Sequence, residues 1–305
     1  MYNLNKKVLI LLSTYNGEKY INQQLDSLFS QTYKEFEIIV RDDKSTDNTL
    51  EILKSYNVKL VDSVQNLGAK KSFASLLEYA IENSDAQYFM FCDQDDIWEK
   101  DKIEKTLNEM KNIEQKNLNT PILVHSDLKV ADENLSIVSD SLWKYQNIDP
   151  EKDSLNRVLL HNVVTGCTTM INRKLAILIK DIPNEAIMHD WWIAMVASVF
   201  GKISYVQEPL MMYRQHGKND TGAKHYGVRY FINRFLQKTS VEKYILQAKA
   251  FLEIYENELD PRTKEMLIDF TNIQKQNYFQ KRVVLFKYKI FKNGLIRNIG
   301  LVLSI

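Results

Sequence analysis

Three carboxylates lie within four positions in the stretch FMFCDQDDIW, residues 89–98, directly after a run of apolar side chains. Asp93 and Asp95 are separated by one residue at the predicted end of a strand, so both carboxylates can point at a shared position. A hard divalent cation, Mg²⁺ or Mn²⁺, suits that position because it prefers oxygen ligands and often bridges to phosphate oxygens. The alternative is a solvated turn in which Asp96 caps the next helix.

A second pair of acids, Asp42 and Asp43, ends the apolar run FEIIVRDD at residues 36–43. Acidic residues at strand ends of nucleotide-binding sheets hydrogen-bond to a base or a ribose. The alternative is helix capping by the segment DDKSTD. The chain contains neither G-x-G-x-x-G nor G-x-x-x-x-G-K-[ST], which disfavours dinucleotide and P-loop chemistry.

The elements that position these acids alternate regularly over the first 120 residues. Short apolar runs predict strands at 7–13, 36–43, 58–62 and 87–93, and amphipathic stretches predict helices at 18–31, 71–84 and 99–111. This alternation is typical of βαβ units in an α/β fold, a mostly parallel sheet flanked by helices. Because right-handed crossovers place the strand ends at one edge, the clusters STYN, RDD and DQDD should meet there.

The pattern changes after residue 120. Strands are predicted at PILVHSDLKV, TGCTTMI, KISYV and LMMYRQH, and a helix at HDWWIAMVASVFG that ends at Gly201. From about residue 228 the chain has the pattern of helices with interleaved basic and aromatic residues. We therefore expect a catalytic domain at residues 1–226 and a helical, basic extension at 227–305.

Composition limits the class of protein. The 305 residues are 45% hydrophobic and 26% charged, which is typical of a soluble globular chain with one large or two modest domains. Cys92 and Cys167 lie in apolar stretches, which indicates reduced core residues of a cytoplasmic protein and excludes a Cys₄ zinc site. The run VLILL after Lys7 is too short for a signal peptide, and no segment approaches the ~20 apolar residues of a membrane span.

The chain resembles the N-terminal half of the family 2 glycosyltransferases in three segments: LSTYNGEKYINQQLDSLFSQTYKEFEIIVRDDKSTDNT, NLGAKKSF and FCDQDDIWEKDKI. GCTTMINRKL, HDWW and YRQHGKN extend the resemblance over about residues 7–220. Within the family it most resembles the bacterial rhamnosyltransferase-like branch, which acts on surface polysaccharides. The resemblance implies a GT-A fold, inverting transfer, a Mn²⁺ or Mg²⁺ cofactor, a donor such as dTDP-rhamnose or a UDP-hexose, and a glycan or lipid-linked acceptor.

The resemblance also assigns the donor site residue by residue. Ser13, Tyr15 and Asp43 match positions that hold the nucleoside. Asp93 and Asp95 match the motif that holds the metal and the diphosphate. A diphosphate is a good leaving group only when its developing negative charge is neutralised, and a cation held by these carboxylates would do so.

Asp190, in HDWW, matches the general base of the family. An acceptor hydroxyl is a weak nucleophile, and a carboxylate within hydrogen-bond reach can take its proton during the attack. The alternative is an N-cap aspartate, which does not exclude a catalytic role. His189 stands where many relatives have Glu, so the electrostatics beside the base could differ. His216, in YRQHGKN, matches a segment that closes over the diphosphate, and we expect it at the metal; a surface histidine is the alternative.

The acceptor side is predicted from aromatic residues and one acid. Trp98, Trp191 and Trp192 have flat apolar faces suited to stacking on a sugar ring, although aromatics at helical spacing are more often core residues. Asp96 is expected either to cap a helix or to contact the acceptor.

The extension is strongly basic. From residue 227 onward it holds 14 Lys and Arg against 7 Asp and Glu, and the last 35 residues contain no acid. Residues 281–305 mix cations with apolar side chains, which is typical of a helix lying in the interface of an anionic membrane. We therefore expect an enzyme at the inner face of the cytoplasmic membrane. Packing on the body or on a second subunit is the alternative, and nucleic-acid binding is disfavoured because no recognised motif accompanies the charge.

Two other classes of protein also gather acids at strand ends. A sugar nucleotidyltransferase would need a Gly-rich loop with Arg or Lys after the first strand, and STYNGEKY is not such a loop. A non-catalytic phospho-receiver domain would be about half as long and would not account for HDWW or YRQHGKN.

Overall fold

The computed structural model describes residues 8–179, 181–217 and 241–305. Its strands are β1 (Val8–Thr14), β2 (Phe36–Asp42), β3 (Lys59–Val61), β4 (Tyr88–Cys92), β5 (Ile97–Trp98), β6 (Ile122–Ala131), β7 (Ile137–Ser139), β8 (Met170–Asn172) and β9 (Lys202–Arg214). Its helices are α1 (Ile21–Phe29), α2 (Thr49–Lys54), α3 (Gly68–Asn83), α4 (Lys102–Lys116), α5 (Leu142–Gln146), α6 (Leu155–Val158), α7 (Arg173–Ile179), α8 (His189–Phe200), α9 (Glu242–Tyr255), α10 (Pro261–Thr271), α11 (Tyr278–Lys287) and α12 (Leu295–Ser304).

The strands form one mixed sheet in the order β3-β2-β1-β4-β8-β6-β9-β5. The short strand β7 pairs with the C-terminal end of β6, at Val130 and Ala131. β1, β2, β3 and β4 are mutually parallel, β8 is antiparallel to both of its neighbours, and β6 and β9 are parallel to each other. Because β8 reverses the direction twice, β6 and β9 run the same way as β4. The carboxyl ends of β1, β2, β4 and β9 therefore share one edge, as the alternation of elements predicts.

Alternation along β1 explains why helices cover both faces of the sheet. Val8, Ile10 and Leu12 face one buried cluster with α1 and α4, whereas Leu9 and Leu11 face the other with α3, α7 and α8. A strand that is apolar on both faces cannot be exposed on either without losing roughly 25 cal/mol per Å² of buried apolar area.

The described part of the extension shares the second of these cores. Phe251 on α9 and Phe270 on α10 are fully buried and belong to the same cluster as Trp192 on α8. The Trp192 and Phe251 rings lie 5.6 Å apart. The predicted division at 226/227 lies outside the described residues. None of the described helices has both the length and the apolar character needed to cross a bilayer.

Two segments differ from the sequence-based expectation. KISYV and LMMYRQH belong to a single long strand, β9, whose pairing with β6 shifts register on either side of Asp127. These irregularities accommodate Pro209, which has no backbone N–H to donate. TGCTTMI is a 3₁₀ turn at Gly166–Thr168 followed by the short strand β8. Gly201 ends α8 as predicted, but its φ of −145° is not left-handed, and glycine is needed there because a Cβ would overlap the Pro121 carbonyl oxygen.

Candidate active site

The polar clusters that follow β1, β2 and β4 meet at the shared sheet edge. Tyr15, directly after β1, is 49% exposed and presents an accessible aromatic ring. Ser13, at the end of β1, donates from its hydroxyl to Ser72 Oγ on α3 at 2.7 Å. Asp93, Asp95 and Asp96 occupy the turn between β4 and β5. The register of β1 and β4, in which Leu12 lies beside Cys92, brings the two turns together.

Gln94, the residue between Asp93 and Asp95, holds the main chain of the first turn. Its Oε1 accepts from the Tyr15 N–H at 2.8 Å, and its Nε2 donates to the Tyr15 carbonyl oxygen at 2.9 Å. Gly17 leaves room for this amide, because a Cβ there would overlap Gln94 Oε1. The central residue of the acidic motif therefore fixes the aromatic residue that the resemblance assigns to the nucleoside.

Replacing Gln94 with alanine is expected to raise the KM for the donor by about tenfold while changing kcat less, because it removes two hydrogen bonds worth roughly 0.5–1.5 kcal/mol each. Gln94→Glu is the matched variant: its carboxylate can still accept from the Tyr15 N–H but cannot donate to the carbonyl, so its KM should be intermediate. Steady-state kinetics against donor concentration provide the measurement. Equal KM values for all three proteins would show that Tyr15 needs no such support.

Asp43 is more deeply buried than an acid that contacts a ligand at the sheet edge is expected to be. It is 2% exposed, its carboxylate forms an ion pair with Arg41, and it accepts from the Leu67 and Gly68 N–H groups, both at 2.7 Å. These contacts lock the start of α3 onto the end of β2, and they do not involve α2, the helix after DDKSTD that the capping alternative concerned. The described geometry thus makes Asp43 a support of the junction between β2 and α3, and a nucleoside contact stays a prediction.

His216 lies two residues beyond the end of β9, and its Nε2 is 2.7 Å from Asp95 Oδ2. Both side chains are largely buried, at 8% and 12% exposure. Burial raises the pKa of the Asp95 carboxyl, and the hydrogen bond with His216 opposes that rise. The structure therefore brings together two of the three residues predicted to bind the metal, although they are 121 positions apart. Of the segment YRQHGKN, residues 218 and 219 lie outside the described residues.

Arg214 and Tyr20 fix the position of His216. The buried Arg214 guanidinium donates to the Asp95 carbonyl oxygen at 2.9 Å, to the Glu133 carbonyl oxygen at 2.8 Å and to Gln23 Oε1 at 2.6 Å. The Tyr20 ring contacts both side chains: it lies 4.8 Å from the His216 ring and 4.6 Å from the Arg214 guanidinium carbon. This arrangement ties the end of β9 to the acidic turn.

The remaining acids of the turn form a second cluster. Ligand atoms of Asp93, Asp96 and Cys167 all lie within 4.8 Å of one another. Asp96 Oδ1 accepts from the Arg214 N–H at 3.2 Å, while Oδ2 is buried without a hydrogen-bond partner among the described residues. Burial, followed by the charges of Asp95 and Asp93, raises the pKa of the Asp96 carboxyl well above its usual value. Burial also raises the pKa of the Cys167 thiol, which makes it a poor ligand for a hard cation.

The acids of the turn after β4, together with His216, fit a divalent cation. His216 Nε2 faces Asp95 Oδ2 across 2.7 Å, Asp93 lies beside Asp96 in the same turn, and three acids within four positions repel one another unless positive charge or protons compensate them. Asp93, Asp95 and His216 are the residues that would hold the ion, and Mn²⁺ accepts such a mixture of oxygen and nitrogen ligands.

A buried cation supports the acidic turn from within the protein. Lys102, at the start of α4, is completely buried; its Nζ donates to the Cys167 carbonyl oxygen at 2.5 Å and lies 3.8 Å from the centre of the Trp98 ring. Burial lowers the pKa of Lys102 to about 8, and the nearby thiols and the carboxylates of Asp96 and Asp93 oppose this effect. A lysine predicted as part of a charged amphipathic helix is thus a core residue of the site.

Asp190 is in the first turn of α8 and remains partly exposed. Its Oδ2 accepts from the Gly166 N–H at 3.1 Å and from Asn162 Nδ2 at 3.2 Å, and its Oδ1 accepts from the Trp191 N–H at 2.8 Å. Burial raises the pKa of Asp190 to about 6, and these hydrogen bonds oppose the rise. Such a carboxylate is oriented, ionised near neutral pH and more basic than a solvated one, as a general base requires.

Gly166 and His189 form the floor beneath this carboxylate. His189 is 5% exposed, and its ring packs 4.3 Å from the Phe73 ring and 5.2 Å from the Phe91 ring. Burial lowers the pKa of His189 to about 3, so it is neutral and adds no positive charge beside the base. Glycine is needed at 166 because a Cβ there would lie 2.9 Å from His189 Nε2 and 3.4 Å from Asp190 Cβ.

Three of the predicted acceptor contacts require correction. Trp192 is completely buried against the Phe251 ring, and Trp98 is 2% exposed beneath Lys102, so neither ring can stack on a sugar. Asp96 is completely buried and cannot contact an acceptor from the surface. Their apolar surroundings explain the error, because aromatics at helical spacing are more often buried than exposed. Trp191 stays partly exposed; its Nε1 donates to the Val158 carbonyl oxygen at 2.6 Å.

Sequence reasoning missed several residues that support the site: Gln94, Arg214, Tyr20, Asn162, Gly166 and Lys102. Gln94 lies inside the quoted motif, and Gly166 begins GCTTMI, so position alone could have drawn attention to these two. The others act through tertiary contacts over 28 to 191 positions that no local pattern records.

The fold and the site together define a GT-A enzyme: a mostly parallel α/β sheet, an acidic turn after β4 joined to a histidine after β9, and an oriented aspartate at the start of α8. Residues 9–178 match the family described as glycosyl transferase family 2. The chain therefore belongs to this family, and it is a glycosyltransferase that takes its sugar from a nucleotide-sugar donor. This membership decides against the nucleotidyltransferase and receiver-domain alternatives.

Individual relatives agree with this assignment. The chain is 30% identical over 228 residues to the dTDP-rhamnosyl transferase RfbG of Shigella flexneri, a match that covers 70% of this chain and 74% of that protein. Its fold is similar to that of S. aureus TarS 1–349 in complex with UDP-GlcNAc, with a TM-score of 0.59, 20% identity, and 92% and 80% coverage of this and that chain. It is also similar to the mannosyltransferase PcManGT from Pyrobaculum calidifontis in complex with GDP-Man and Mn²⁺, with a TM-score of 0.57, 14% identity, and 100% and 81% coverage.

Proposed function

We propose that this protein is an inverting glycosyltransferase that moves a sugar from dTDP-rhamnose or a UDP-hexose to a hydroxyl of a bacterial surface glycan or lipid-linked oligosaccharide. The observation that carries the proposal is Asp190, a carboxylate held by three donors with a pKa of about 6. The similarity to a dTDP-rhamnosyl transferase favours the rhamnosyl donor, and UDP-hexoses are the alternative.

Asp190 acts as the general base in this proposal. The Gly166, Asn162 and Trp191 donors fix the carboxylate, so that a lone pair of one oxygen is available for the acceptor hydroxyl. As the hydroxyl oxygen attacks the anomeric carbon, its proton passes to Asp190 while the bond to the diphosphate breaks on the opposite face. A single displacement of this kind inverts the anomeric configuration, as it does in one-step transfers catalysed by a carboxylate base.

The other predicted site residues bind the donor, and each has a separate role. Tyr15 stacks its exposed ring on the nucleobase of the donor, and Gln94 holds the Tyr15 main chain. Ser13 and Asp43 shape the wall of the nucleoside site. Asp93, Asp95 and His216 would hold Mn²⁺ or Mg²⁺, which supplies positive charge to the departing diphosphate when it is bound.

The stereochemistry of the product tests the proposal. Purified protein is first screened by thermal shift against nucleotide sugars with Mn²⁺, and the donor that stabilises most is then incubated with an extract of lipid-linked glycans. An α-linked donor should give a β-linked product, and a β-linked donor an α-linked one, as read from the one-bond coupling between the anomeric carbon and its proton by NMR. Retention of configuration would refute Asp190 as the base of a single displacement.

A further inference from the structure

The last two helices each bury one apolar face and expose another. On α11, Val284 and Leu285 are buried in the core shared with the body. The opposite face of α11 is exposed at Phe279 (77%), Val283 (62%) and Phe286 (60%). The tail thus packs on the body and still leaves large apolar side chains in water, which is unusual for the surface of a monomeric protein.

The same division occurs on α12. Leu301 is 2% exposed and belongs to the shared core. The other side carries four exposed residues at helical spacing: Leu295 (77%), Ile296 (55%), Ile299 (47%) and Leu303 (55%). Arg282 ties the two helices together, because its guanidinium donates to the Val302 carbonyl oxygen at 2.5 Å. We call the exposed side chains of both helices the C-terminal apolar surface: Phe279, Val283, Phe286, Leu295, Ile296, Ile299 and Leu303.

Positive charge accompanies this surface. The last 35 residues contain seven Lys and Arg and no acid. Lys287 forms ion pairs with Glu265 and Asp269 on α10, at 2.8 and 3.3 Å. Lys275, Lys281 and Lys289 form no ion pair within residues 8–179, 181–217 and 241–305. Apolar side chains flanked by cations are the composition of a helix that lies at an anionic bilayer surface.

The segment that joins these helices lies beside the acceptor side of the enzyme. Asn156, on α6, donates from Nδ2 to the Lys289 carbonyl oxygen at 2.9 Å. The far end of α6 supplies the Val158 carbonyl that accepts from Trp191 Nε1, next to Asp190. A chain of contacts through α6 and its following loop, which includes Asn162, therefore connects the tail to the candidate base.

We propose that the C-terminal apolar surface docks the protein on an anionic lipid bilayer, with α11 and α12 lying in the interface plane. Each helix has 10 residues and is about 15 Å long, roughly half the apolar thickness of a bilayer, so neither can span it. The benefit to catalysis rests on the proposed function, because a lipid-linked acceptor is anchored in that bilayer. The docking itself requires only the exposed apolar side chains and the cations.

Vesicle flotation without donor or acceptor tests the docking separately from the enzymology. The full chain is mixed with phosphatidylcholine vesicles that contain or lack phosphatidylglycerol, and the bound fraction is measured after centrifugation. We expect binding to the anionic vesicles that falls at least about tenfold in Phe279→Ser/Leu295→Ser, since each substitution removes most of a large apolar side chain from the interface. The matched control is Val64→Ser/Leu118→Ser, which changes two residues that are 89% and 81% exposed on other parts of the protein and should leave binding unchanged.

Every other outcome overturns the docking proposal. Absence of binding to anionic vesicles by the unmodified chain would do so directly. Equal losses in both double variants would show a nonspecific effect of surface polarity. Self-association of the unmodified chain that Phe279→Ser/Leu295→Ser abolishes, without vesicle binding, would assign the surface to a second copy of the chain. Nucleotide-sugar binding is measured on the same preparations, so failure of the proposed function is distinguishable from failure of docking.

Discussion

Asp190→Asn is expected to lower kcat by about 10²- to 10⁴-fold while leaving donor affinity within about twofold of the unmodified enzyme. Asparagine keeps the size of the side chain and one acceptor oxygen, but it cannot take the proton of the acceptor hydroxyl. In the proposed function the donor binds at the turns after β1 and β4, and the three hydrogen bonds that Asp190 makes within the described residues go elsewhere, to Asn162, Gly166 and Trp191. Kinetics at saturating donor, together with calorimetric binding of the nucleoside diphosphate, separate the two effects.

The pH profile adds an independent readout. Because the pKa of Asp190 is about 6, the carboxylate becomes protonated as the pH falls through that value. The rate should therefore decline about tenfold per pH unit below about 6 and level off above it, and this limb should be absent from the residual activity of Asp190→Asn. Asp153→Asn is the matched control, since burial also raises the pKa of Asp153, but that residue lies near Lys202 at the opposite edge of the sheet. Near-normal kcat in Asp190→Asn would exclude the base assignment.

The sheet edge was predictable because its cause is local. Short apolar runs such as VLILL, followed by turn residues, are typical of strands buried on both faces, and the polar turns after them fix where the strands end. Parallel pairing then brings the turns after β1, β2 and β4 together by topology alone. For this reason Tyr15, Asp93 and Asp95 could be placed at one site without knowledge of a single tertiary contact.

The depth of a residue below that edge was not predictable in the same way. Asp43 and Asp96 follow strands as Asp93 does, yet both are buried, one against Arg41 and the start of α3, the other against the Arg214 N–H. Whether a carboxylate at a strand end faces solvent depends on the loops that cover it, and those loops come from distant parts of the chain. The register that places a charged residue such as Lys102 in the core is likewise a tertiary property.

Burial in the C-terminal helices α11 and α12 was also not predictable from the sequence. Their composition indicated either a membrane surface or packing on the body, and periodicity could not choose between them. In the structure Leu285 and Leu301 are buried against the body, whereas Phe279 and Leu295 are exposed, and docking of that exposed face on a bilayer stays a proposal. Because α11 and α12 carry apolar residues on both faces, their sequence could not indicate which of those residues are buried.

Asp95→Ala is expected to weaken Mn²⁺-dependent binding of a nucleoside diphosphate by at least about 100-fold. The substitution removes the carboxylate that faces His216 across 2.7 Å and leaves the imidazole without an oxygen partner for a shared ion. Without Asp95 the protein holds the cation less tightly, so the negative charge of the diphosphate is less well neutralised. Such charge neutralisation by a bound cation is worth several kcal/mol. Titration of UDP and dTDP in Mn²⁺, and again in EDTA, measures the metal-dependent part of the affinity.

Asp101→Ala is the matched control for this prediction. Asp101 lies six residues further along the same segment, pairs with Lys105 at the surface and is 40% exposed, so its loss should leave affinity within about twofold. His216→Ala should weaken binding of the nucleoside diphosphate in Mn²⁺ but not in EDTA. The imidazole is expected to act on the diphosphate only through the metal ion, which EDTA removes. Equal affinity of the unmodified chain with Mn²⁺ and with EDTA would rule out the metal role of Asp95 and His216. In that case the contact between Asp95 and His216 would serve only to hold the end of β9 against the acidic turn.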